Sequence, residues 1–202
     1  MREHQDSRTI MKKALFFLFA LLYLPASFAQ VSIPQGFSSY ASVSIGNGAS
    51  CHAGAVLDED GMNQTPFVYV DGPDHNVLWA IPIVLPGDAY QARITHCIRV
   101  NDALYVLMQA DTQPQQALSQ TLLRVLELKA ANGSLIGSTY VDVPGVVDAY
   151  SSWVDKGNEN FRFSKDKLII SGHYFRLANP NDRKIFESAM DANVAHADHG
   201  TR

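Results

Sequence analysis

Beyond Val31 the chain is a succession of short runs in which apolar and polar positions alternate, or in which β-branched and aromatic residues follow one another. Both patterns mark β-strands. They predict strands at "YASVSI", "PFVYV", "VLWAIPIVL", "QARITHCIRV", "ALYVLM", "TLLRVLEL", "SLIGSTYVDV", "NFRF" and "KLIISGHYFRL". Turn residues separate the runs: Asp71-Gly72-Pro73, Asn101-Asp102, Asn132-Gly133 and Lys165-Asp166. The Asn-Gly pair between two apolar runs is the strongest of these hairpin marks. "SIGNGAS", Ser44 to Ser50, reads as a turn leading to Cys51. The class is all-β, built of antiparallel sheets.

The runs also repeat. Phe67–Tyr90 parallels Leu123–Tyr150: strand, turn, strand, then Pro-Gly and Asp-Ala-Tyr. "CIRVNDALYVLMQ" and "FRFSKDKLIISGH" continue the parallel, and residues 38–58 offer a partial third copy. The order resembles propeller blades, although the offset of about 60 residues exceeds the usual blade period. Too few copies are present to close a ring of at least four blades, so an incomplete propeller or a pair of packed sheets is expected. Trp79 and Trp153, and Tyr69, Tyr90 and Tyr150, fall at equivalent places in the repeat and read as structural aromatics. At residue 179 the character changes. Asn179-Pro180-Asn181-Asp182 signals a helix start, and "DRKIFESAMDANVA" is predicted as one short helix packing through Ile185, Phe186 and Met190. The expected organisation is a leader over 1–29, one β domain over 30–178, and a short helix with a frayed tail over 179–202.

The leader rests on Met11-Lys12-Lys13, the apolar "ALFFLFALLYL", and Ser27-x-Ala29 ahead of Gln30. Its apolar run is short for a membrane span, so export to the periplasm without a stable anchor is expected. Export changes the charge count. Without Arg2, Arg8, Lys12, Lys13, Glu3 and Asp6, the 16 basic and 20 acidic residues become 12 and 18, a net charge of −6. A nucleic-acid binder would normally carry a basic face, so none is expected as a partner.

Two cysteines remain, Cys51 and Cys97. In an oxidising compartment the default for such a pair is a disulfide. The neighbouring His52 and His96 raise a zinc site or a Cys-His nucleophile as alternatives. Adjacent Cys-His pairs lack ordinary zinc spacing, and strand neighbours point to opposite faces. Asp58-Glu59-Asp60-Gly61 lacks the ligand series of a calcium loop, and His196 and His199 fall in the tail. No metal or cofactor is expected. Asp148, Ser151 and His173 make a triad only on paper, and no nucleophile elbow or zinc-protease motif occurs. The chain is not expected to be an enzyme.

What stands out is "QADTQPQQALSQT", Gln109 to Thr121. A hairpin needs two to five residues; this connection is about ten long and uncharged after Asp111. It is inserted into one copy of the repeat. Gln113, Gln115, Gln116 and Gln120 offer hydrogen bonds without the desolvation cost of a charge. Pro114 restricts the chain, Leu118 supplies an apolar anchor, and Ser119 a small hydroxyl.

With its leader "MKKALFFLFALLYLPASFA", small all-β domain and "DTQPQQALSQ" loop, the chain resembles the periplasmic immunity proteins that neutralise type VI secreted peptidoglycan amidases. It looks most like those paired with papain-like (NlpC/P60-type) Cys-His amidases of Pseudomonas. The resemblance implies no catalysis and a tight complex with a cognate amidase. It also implies a loop plugging that enzyme's groove, with Ser119 reaching its Cys-His pair. The alternative is an exported propeller-like scaffold or ligand-binding module.

Overall fold

A computed structural model describes residues 32–112 and 119–192. The described residues form twelve strands in three antiparallel sheets. The first sheet is the meander β1 (Phe37–Gly46), β2 (Ala49–Leu57), β3 (Gln64–Asp71) and β4 (Val77–Pro82). The second is the meander β5 (Ala89–Val100), β6 (Ala103–Thr112), β7 (Gln120–Lys129) and β8 (Leu135–Tyr140). In the third, β11 (Lys167–Arg176) lies between β12 (Asn179–Asp191) and two short strands, β9 (Tyr150–Trp153) and β10 (Phe161–Ser164). A 3-10 turn at Asn158–Asn160 separates the two short strands. The sheets close into neither a barrel nor a propeller.

The repeat corresponds to the last two strands of one sheet followed by the first two of the next. One copy is β3–β6; the other is β7–β11, in which β9 and β10 replace the single long β5. Strands β1 and β2 hold the corresponding place in the first sheet. Three of the predicted turns hold residues of positive φ, as tight hairpin turns require. These residues are Asn101 (φ 54°), Gly133 (φ 72°), Lys165 (φ 50°) and Asp166 (φ 61°).

The second sheet is buried on both faces. Leu104, Val106 and Met108 of β6 join Leu126 and Leu128 of β7 in a core shared with Cys51, Val68, Val70 and Trp79 of the first sheet. The alternate residues Tyr105, Leu107, Leu123 and Val125 enter a second core with Phe161, Leu168, Ile170 and Phe186 of the third. Period two explains the division: neighbours on one strand serve different cores. Cys51 on β2 and Cys97 on β5 are disulfide-bonded, with Cα atoms 6.7 Å apart, and so join the first sheet to the second.

Three expectations are corrected. Residues 179–191 form strand β12, with no α-helix anywhere in the described residues. Phe186, Ser188 and Met190 alternate inward opposite Gly172, Ile170 and Leu168 of β11, while Ile185 points outward, 79% exposed. Long-range pairing with an apolar strand outweighs the helix propensity of this charged stretch. The turn expected over Ser44–Ser50 is confined to Asn47-Gly48, and Ala49–Leu57 form a strand that the sequence pattern did not predict. Trp79 and Trp153 are not equivalent: Trp79 is core and donates to the Ala130 carbonyl at 2.9 Å, whereas Trp153 borders a cleft.

Candidate functional site

The foot of the long connection is a network of hydrogen bonds. Strands β6 and β7 stay in register to the pair Thr112–Gln120. Ser119 Oγ donates to the Thr112 carbonyl at 3.1 Å. One rung below, Thr121 Oγ1 donates to Asp111 Oδ1 at 2.7 Å. The other Asp111 oxygen accepts from Gln91 Nε2 at 2.9 Å and Arg93 Nη1 at 3.1 Å, both on β5. On the opposite side, Gln120 Nε2 donates to the Tyr150 carbonyl at 2.9 Å, and the Thr121 amide to Ser151 Oγ at 2.9 Å. The second and third sheets are thus tied together directly beneath the loop. Charge-assisted bonds to a largely buried carboxylate are among the stronger of their kind.

A cleft of about 640 Å³ opens at this foot, lined by Arg93, Gln109, Ser119, Thr121, Ser151 and Trp153, among others. Its floor is polar but satisfied: the buried Gln109 amide donates to Thr95 Oγ1 at 3.2 Å and to the Val154 carbonyl at 2.9 Å. Trp153 stacks on His173 with centroids 5.4 Å apart, and the Arg183 guanidinium lies 5.7 Å from the indole centroid. Of the loop positions singled out by sequence, Ser119 and Gln120 stand at this shoulder. Gln113, Pro114, Gln115, Gln116 and Leu118 lie outside the described residues. Sequence reasoning missed Asp111, Arg93 and Thr121, whose partners come from other strands and leave no motif.

The sets of catalytic residues considered from sequence are dispersed among other partners. Asp148 faces Arg176 at 3.8 Å, His173 Nε2 meets Asp155 at 3.0 Å, and Ser151 accepts the Thr121 amide. Both cysteines are consumed by the disulfide. His52 stacks on Tyr69 at 4.3 Å beside Asp71, and His96 is buried on β5, its ring held below the usual histidine pKa by that burial. Neither histidine shares a ligand set with a cysteine. Among the described residues no group of three His, Cys, Asp or Glu side chains could hold a metal; His196 and His199 lie outside them. Asp58 instead closes its own turn, accepting from the Met62 amide at 2.8 Å and the Asn63 side chain at 2.7 Å. These bonds, that from the Asn63 side chain foremost, lower its pKa.

No protein-family model, curated protein or solved structure matches the chain.

Proposed function

We propose that this chain is a periplasmic immunity protein whose Gln113–Gln120 loop enters and blocks the groove of a cognate peptidoglycan amidase. The observation that carries the reading is the clamp beneath the loop. A connection of seven residues, 113–119, shorter than the expected ten but longer than the two to five a hairpin needs, is inserted where β6, β7, β5 and β9 are tied by six side-chain hydrogen bonds around Asp111, Ser119, Gln120 and Thr121. A binding loop set on a rigid base loses less freedom on association. Amide and hydroxyl side chains suit a polar catalytic groove, and Ser119 is held at the foot of the connection by its bond to the Thr112 carbonyl. The interface would be of the protease-inhibitor type, about 1,600 Å² in total with a few central hot spots. The test replaces residues 113–118 with Asn-Gly. Unchanged thermal unfolding with lost inhibition supports the reading; retained inhibition overturns it.

A ligand-binding module is the second reading, favoured by the cleft beside Ser119. It assigns binding to Gln109 and Trp153 rather than to the loop. It therefore predicts that the loop-shortened protein keeps its partner and that Trp153→Ala loses it.

A further inference from the structure

Strand β12 is thirteen residues long, and among the described residues only β11 pairs with it. The other outer strands are less open to pairing: β9 and β10 have four residues each, β4 and β8 six each, and β1 and β5 each carry two register shifts. A long edge with unpaired N–H and C=O groups is a template for another strand. Residues Asn179 to Ile185 of this edge are all exposed, and Ile185 stands at its midpoint. Arg183, Ile185 and Glu187 alternate onto one face, opposite that of Phe186.

The sequence of this edge is complementary to itself. Two copies related by a twofold axis through the sheet pair antiparallel, with residues of one face opposed. When all thirteen residues overlap, Ile185 meets Ile185 of the second copy, and Arg183 meets Glu187 on either side. Asp182 then faces Ser188, Lys184 faces Phe186, and no like charges are opposed. Slipping the axis back to Lys184 sets two ammonium groups against each other, while slipping it forward to Phe186 removes both opposite-charge pairs. Directly opposed side chains lie about 5 Å apart at Cβ, close enough for the charges to choose the register. Asp182, Arg183 and Lys184, which repel many foreign strands, do not repel this one. Pro180 supplies no N–H and weakens only the outermost rungs.

We infer that the β12 edge is a homodimerisation surface, joining the third sheets of two copies into one continuous sheet with Ile185 on the twofold axis. The inference does not depend on the amidase reading.

Sedimentation across a dilution series tests it. The purified protein is expected to sediment as a dimer that dissociates on dilution and with added salt. Glu187 also pairs with Arg162 of its own chain at 2.9 Å, so the charge is varied at residue 183 alone: Arg183→Glu is expected to give monomers and Arg183→Lys to keep the dimer. Under mild oxidation Ile185→Cys should form a covalent dimer and Lys184→Cys should not, because only residue 185 meets itself. Ile185 is exposed enough for the substitution to leave the fold intact. Monomers of the unmodified protein at every concentration would overturn the inference. So would equal cross-linking at the two positions, or a dimer left unchanged by Arg183→Glu.

Discussion

Asp111 and Thr121, on the last rung but one of β6 and β7, are joined by a 2.7 Å bond from the Thr121 hydroxyl to the carboxylate. The same carboxylate receives Arg93 and Gln91 from β5. Three strands therefore depend on one side chain at the foot of the loop. Asp111→Ala leaves the Arg93 guanidinium without this partner and should destabilise the fold by about 1–3 kcal/mol in urea unfolding. Asp111→Asn keeps the shape and should cost less. If the clamp presents the loop, Asp111→Ala should also weaken inhibition below the melting point.

The disulfide joins sheets through residues 46 apart in sequence. Constraint of the unfolded chain over such a loop stabilises by about 4 kcal/mol in the chain-entropy model. Replacing both Cys51 and Cys97 by alanine should lower the urea midpoint accordingly. Unmodified protein under reducing conditions should show the same loss.

Much of this architecture is written in the sequence. The runs "ALYVLM" and "TLLRVLEL" announce strands because both faces of the second sheet need apolar residues. Strand β2 is hidden because its residues are small: a Cβ on Gly54 would run into the Ser38 carbonyl oxygen and the Phe37 ring. Glycine and alanine there answer to packing and carry no strand propensity of their own. Strand β12 is disguised by charge, since only every second residue from Phe186 onward packs inward. The loop is legible as an oversized connection, whereas its clamp is not, because Asp111 finds Arg93 across strands, 18 residues away.

Close approach of strands gives a sharper packing prediction at Gly172. A Cβ there would collide with the Trp153 carbonyl oxygen and stand 2.9 Å from Phe186 Cε1. Gly172→Ala must displace backbone and should cost about 1–3 kcal/mol. Gly87, where an added Cβ would meet nothing within 4 Å, is the control, and Gly87→Ala should change the melting temperature little.

Tyr105 makes stability sensitive to alkali. Burial, reinforced by Glu127, raises its phenol from 10.0 to about 12, and its hydroxyl donates to the Ala192 carbonyl. The unfolded chain releases this proton first. The contribution is therefore complete below pH 10 and is lost as the pH rises from about 10 to about 12. The loss amounts to about 2–3 kcal/mol. Tyr105→Phe should flatten that part of the stability profile in urea titrations.

Substitutions at Ser119 need a well-chosen comparison. Ser138 is buried and accepts from Arg124 Nη2 at 2.5 Å, so a large side chain there would disturb the fold itself. Exposed Ser44 on β1 is the better control. Ser119→Trp should weaken amidase binding by at least about tenfold, equivalent to about 1.4 kcal/mol, and Ser44→Trp should leave it unchanged in calorimetric titration.

The most direct measurement is inhibition of the cognate amidase on peptidoglycan by the protein with residues 113–118 replaced by Asn-Gly, beside the unmodified protein. The immunity reading predicts a folded variant with unchanged thermal unfolding and no inhibition. A folded variant that still inhibits as the unmodified protein does would contradict it.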